Sequence, residues 1–119
     1  MADADIAYRI AEERIAKARA EDLPFLNLSP EGRQAYGVAW EAEARLAALP
    51  ALPPEIANLT ALQRLDLRST QVADIAPLAS LSALHTLSLQ NTQVADIAPL
   101  ENLSALQALT LHNTQVADI

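Results

Sequence analysis

Residues 81–102 read LSALHTLSLQNTQVADIAPLEN, and the text on either side nearly repeats them. Residues 59–80 read LTALQRLDLRSTQVADIAPLAS, and residues 103–119 read LSALQALTLHNTQVADI. The three lines begin 22 residues apart, at Leu59, Leu81 and Leu103. A fixed period of this size marks a solenoid. Each repeat is one supersecondary unit that buries its apolar face only against its neighbours.

The apolar residues of the three lines fall in columns. Leu62/Leu84/Leu106, Leu65/Leu87/Leu109 and Leu67/Leu89/Leu111 lead; Val72/Val94/Val116, Ile75/Ile97/Ile119 and Leu78/Leu100 follow. Arg64-Leu65-Asp66-Leu67-Arg68 alternates out and in, the period of a half-buried strand. Beyond it the apolar spacing lengthens to three, through Val72, Ile75, Leu78 and Leu81. That spacing suits a 3-10 helix, whose side chains eclipse at i and i+3. Each repeat is thus predicted to be a short strand, a turn and a return path. Strands are expected near 64–68, 86–90 and 108–112, parallel in one sheet.

The pattern LxxLxLxxTxVxDIxPLxx resembles the 22-residue leucine-rich repeat of bacterial internalin-like proteins. The resemblance covers residues 59–119 and implies an α/β leucine-rich repeat solenoid with its parallel β-ladder on the concave face. Many members of that family carry Asn in the turn after the strand; here the column is Thr70, Thr92 and Thr114. A Thr hydroxyl also bonds turn backbone, more weakly.

Upstream, residues 3–21 are predicted to form a helix, with Asp3 or Asp5 as its cap. Ile6, Ala7, Ile10, Ala11, Ile15 and Ala18 share one face, as a helix that caps an open solenoid end requires. Leu23-x-x-Leu26-x-Leu28 has the spacing of Leu62, Leu65 and Leu67, so a divergent first strand is expected at about 24–28. Leu49 takes the place of Val72, which leaves an insertion between Leu28 and Leu49. Ser29-Pro30-Glu31 opens it, and Tyr36, Trp40, Ala44 and Ala47 recur at helical spacing. A helix at about 30–48 follows, stopped by Pro50, Pro53 and Pro54. The expected organisation is a cap with a divergent first repeat over 1–58, then repeats at 59–80, 81–102 and 103–119. The last line stops at Ile119 without its return segment. The expectation is a longer array, or an end covered by self-association through the uncapped C-terminal repeat.

Composition narrows the function. Eight basic residues against fifteen acidic ones give a formal charge of −7, which argues against a nucleic-acid partner. Aromatic residues make up 3%, too few for base- or sugar-stacking platforms. With no Cys, disulfides and thiolate metal sites are excluded. No stretch approaches the ~20 apolar residues of a membrane span. The start, MADADIAYRI, is acidic where a secretory leader needs basic residues, so a cytoplasmic protein is expected.

The chain offers little for catalysis. Its two Gly residues, Gly32 and Gly37, cannot build a phosphate loop. His85 and His112 lack a nucleophile and carboxylate arranged around them, and read as exposed contact residues. Asp74, Asp96 and Asp118 form a column on coils stacked about 4.8 Å apart. The functional reading is a divalent-cation site. The plainer one, preferred here, is that each Asp caps the return helix it precedes. Tyr36 and Trp40 fit a core face better than a ligand cage. No cofactor and no metal are expected.

What varies from line to line is the set of residues pointing out of the strands. These are Arg64, Asp66 and Arg68, then Thr86, Ser88 and Gln90, then Thr110 and His112. A rigid scaffold with a variable face suits recognition. The expected function is non-enzymatic binding of a protein partner through that concave face. The layout also resembles the leucine-rich regions of large bacterial multidomain proteins. That likeness implies an alternative, a sensor or docking segment of a longer enzyme of GTPase, TIR or ubiquitin-ligase type.

Overall fold

In the computed structural model, residues 3–29 and 45–116 are described. Helix α1 (Asp3–Ala20) leads into strand β1 (Phe25–Asn27), followed by β2 (Arg64–Asp66), β3 (Thr86–Ser88) and β4 (Ala108–Thr110). These four strands form one parallel sheet in chain order. Its register aligns the central leucines: Leu26 with Leu65, Leu65 with Leu87, and Leu87 with Leu109. Between strands the chain returns through 3-10 helices at Pro54–Asn58, Ala76–Ser80 and Ala98–Leu100.

Each strand is shorter than the alternating pattern predicts, and β2, β3 and β4 each run into a left-handed turn. Ser69, Asn91 and Asn113 take φ of 62°, 60° and 58°, a left-handed conformation that turns the chain out of the strand. The ladder nevertheless continues into the turn: Leu67 N donates to Ser88 O at 2.9 Å, and Ser69 N to Gln90 O at 3.0 Å. The Thr column then closes the corner. The hydroxyls of Thr70, Thr92 and Thr114 donate to the carbonyls of Leu67, Leu89 and Leu111 at 2.8, 2.7 and 2.6 Å. Family-typical Asn is thus replaced by a hydroxyl that satisfies the strand's outgoing carbonyl, and Thr70 and Thr92 are buried.

The return side carries a second ladder. Gln93 N donates to Val72 O and Gln115 N to Val94 O, at 3.0 and 2.9 Å. Gln71 N donates to Leu49 O at 3.0 Å in the same way, so Leu49 holds the place of Val72 in the coil below. The inserted helix expected at about 30–48 falls mainly outside the described residues, as do Tyr36, Trp40 and Ala44. Its last four positions, Arg45–Ala48, form a 3-10 helix, with Leu46 and Leu49 buried.

One apolar core runs through the described chain, from Ala7, Ala11, Ile15 and Ala18 of α1 to the leucine columns. Each fully buried Leu contributes roughly 1.5–3 kcal/mol by leaving water. Ile6 and Ile10 of the predicted helix face are only half-buried, whereas Arg14 lies on that face at 8% exposure. Spacing explains it: Ala7, Ala11, Arg14 and Ala18 follow one another at four, three and four residues, a single helical seam. Arg14 Nη1 donates to Asn27 O at 3.0 Å. Leu28 N faces β2, bonding Asp66 O, so the Asn27 carbonyl faces away from the sheet. There the cap helix supplies the donor that a preceding coil would have supplied.

Candidate partner-binding face

Alternation puts the even-numbered neighbours of Leu65 and Leu87 on the outer surface of the sheet. The register then lines them up across strands. Phe25, Arg64, Thr86 and Ala108 form one row, and Asn27, Asp66, Ser88 and Thr110 the next. Arg68, Gln90 and His112, at the 22-residue spacing, begin the turns beyond. The face therefore gathers all eight predicted residues: Arg64, Asp66, Arg68, Thr86, Ser88, Gln90, Thr110 and His112. Three of these, Arg64, Thr110 and His112, are exposed, and the other five half-buried.

The sequence reading missed the β1 contribution. Phe25 is 40% exposed, a large apolar side chain partly open to solvent. Its signal was available, since the spacing that places Leu26 inward places Phe25 outward. Asn27 takes the matching position in the second row but is buried, and its Oδ1 accepts from Ser29 N at 2.8 Å.

Polar contacts pre-arrange much of the face. Arg68 Nε stands 3.1 Å from Asp66 Oδ2, within ion-pairing range although its N–H is not aimed along that line. Asp66 Oδ1 also accepts from Arg68 N at 3.2 Å. An open pair like this contributes at most about 1 kcal/mol. Thr110 Oγ1 donates to Gln90 Oε1 at 2.5 Å. His85, in the row before β3, has Nδ1 3.3 Å from Thr86 Oγ1 and Nε2 3.3 Å from Gln63 Oε1. Its ring joins a row of surface polar groups rather than a carboxylate. Beside it, Pro24, Phe25, Gln63 and Arg64 line an open hollow of about 280 Å³.

The acidic column behaves locally. Asp74 Oδ1 accepts from Ala76 N and Asp96 Oδ1 from Ala98 N, both at 2.9 Å. Each carboxylate holds the first amide of its 3-10 helix; Asp118 lies outside the described residues. Among the described residues no three His, Cys, Asp or Glu side chains converge to hold a metal. A second hollow, about 540 Å³, lies between α1 and the Pro54–Asn58 turn, lined by Glu12, Ile15, Ala16, Arg19, Ala20 and Glu55. Burial raises the phenol pKa of nearby Tyr8 above its ordinary value, with Glu12 and Glu55 adding to the rise. No helix among the described residues is long and apolar enough to cross a membrane.

Comparison with known proteins agrees with this architecture. A family model for leucine-rich repeats in two copies matches residues 82–119. The structure of an internalin C2 from Listeria monocytogenes superposes on 95% of the chain with a TM-score of 0.55 and 25% identity. An internalin, InlF, from the same organism matches 64% of it with a TM-score of 0.54 and 31% identity. The chain spans 66% of the first of these proteins and 25% of the second. No curated protein sequence matches it.

Proposed function

Since the chain is a leucine-rich repeat protein, similar in structure to bacterial internalins, we propose that it is a non-enzymatic recognition module. It binds a protein partner through the outer surface of its parallel sheet. The observation that carries this reading is the division of labour within each repeat. Inward columns are nearly invariant from line to line, and the outward rows, held in register by the same ladder, change. Contact is made by Arg64, Asp66, Arg68, Thr86, Ser88, Gln90, Thr110 and His112, with residues 1–58 serving as cap and 59–119 as the array.

Affinity capture with the intact chain tests it. A partner held by the wild type should survive Ala95→Arg on the return path and be lost on Ser88→Arg at the centre of the face. Equal loss with both variants would move the interface elsewhere.

A self-contact through the C-terminal repeat is the second reading, favoured by one observation. Leu106, Leu109, Leu111 and Val116 are half-buried, whereas their counterparts Leu84, Leu87, Leu89 and Val94 are buried. Light scattering across concentration tests it; a chain that stays monomeric at high concentration refutes it.

A further inference from the structure

The outer face differs in sign from the chain that carries it. The chain has a formal charge of −7. Across the three rows of the face, Arg64 and Arg68 oppose Asp66, and no other residue there is Asp, Glu, Lys or Arg. The other acidic residues of the described chain lie elsewhere: Asp3, Asp5, Glu12, Glu13, Glu21 and Asp22 on or after the cap helix, Glu55, Asp74, Asp96 and Glu101 on the return side. The local excess of positive charge sits at the β1–β2 end. Arg68 is held against Asp66 at 3.1 Å. Arg64 is exposed, and among the described residues no carboxylate pairs with it. It faces Phe25 across the ladder, and both line the 280 Å³ hollow together with Pro24 and Gln63.

We infer that this hollow is the anchor of the binding face and takes an acidic residue flanked by an apolar one, from an extended segment of the protein partner. The inference rests on the concave-face reading above. A guanidinium presents a planar fork that takes a carboxylate through two parallel hydrogen bonds. An aromatic wall beside it lowers the local dielectric, which strengthens that pairing, and gives the neighbouring apolar side chain a surface to cover. Downstream, Thr86, Ser88, Gln90 and Thr110 offer uncharged hydrogen-bonding groups along the path an extended chain would follow. At long range, a chain of charge −7 favours a basic partner, so acidic preference at this spot is a local property that the test separates from bulk attraction.

Selection of a displayed random-peptide library on the immobilised chain, followed by anisotropy measurements on the synthesised peptides, decides the matter. The expected peptides share Asp or Glu next to Leu, Ile or Phe. Arg64→Glu should weaken them on the order of tenfold or more, Phe25→Ser should weaken them less, and replacing the peptide's acid by Lys should restore binding to Arg64→Glu. Thermal melts that match the wild type show that each variant is folded. Basic peptides, or peptides indifferent to Arg64→Glu but lost on Ser88→Arg, overturn the anchor and leave the concave-face reading standing. Peptides insensitive to both variants overturn both, and failure to select any peptide overturns the anchor as a site for linear segments.

Discussion

The middle and last repeats carry nearly the same text and live in different surroundings. TQVADI occurs at 92–97 and again at 114–119, yet Val94 is 0% exposed and Val116 half-buried. Leu87 is enclosed between Leu65 and Leu109, while Leu109 has Leu87 on one side. Burial in this fold is thus conferred by the neighbouring coil rather than by the residue's own segment. The near end of the sheet shows the same rule from the other direction. There α1 supplies what a preceding coil would have supplied, including a donor for the Asn27 carbonyl.

The largest expected effect tests that rule directly. Leu87→Ala should cost roughly 2–5 kcal/mol, because a closed site leaves a cavity, and Leu109→Ala roughly half of that or less. Denaturant melts of the two variants measure the gap. Equal losses would break the comparison and mean that β4 is covered in solution. Next comes the capped end. Arg14→Ala removes the donor from a buried carbonyl and should cost about 1–3 kcal/mol. Urea titration checks it; a loss near zero would mean that water replaces the guanidinium and that the cap does not seal the edge.

The threonines sharpen the contrast at smaller scale. Thr92→Ala and Thr114→Ala delete the same hydroxyl-to-carbonyl bond, the first buried and the second half-buried. About 1 kcal/mol is expected for Thr92 and distinctly less for Thr114, where water reaches the orphaned carbonyl. The melting-temperature difference between the two variants reports it. The smallest effect belongs to the acidic column, where the bond lies within one segment. Asp74→Asn and Asp96→Asn should both be nearly neutral, since Asn caps as well as Asp, and added calcium should leave the melting temperature unchanged. A calcium-dependent rise abolished by Asp96→Asn would restore the cation reading.

The sequence made the stacked architecture legible because period and column are direct consequences of backbone geometry. Leu26, Leu65, Leu87 and Leu109 align as their spacing requires. The outward rows follow by alternation, and the turn Thr residues reveal their bonds through their fixed offset from the strand. Less legible were the places where the partner is remote in sequence. Arg14 is absent from the helix face read from the sequence, because nothing local hints at a carbonyl thirteen residues away. Strands β2, β3 and β4 run into left-handed backbone at Ser69, Asn91 and Asn113, which Asn signals and Ser does not. Over 45–48 the backbone is a 3-10 helix, a distinction from α that the apolar spacing does not encode.

The same coil is entered twice by the chain. Leu28 N bonds Asp66 O on the strand side, and Leu49 O accepts from Gln71 N on the return side, both in the coil that follows. The two attachment points are fixed by that coil, and neither depends on how many residues join them. Both bonds are made to the coil that follows, so the phase in which the first coil closes is dictated from downstream, by Asp66 on one side and Gln71 on the other.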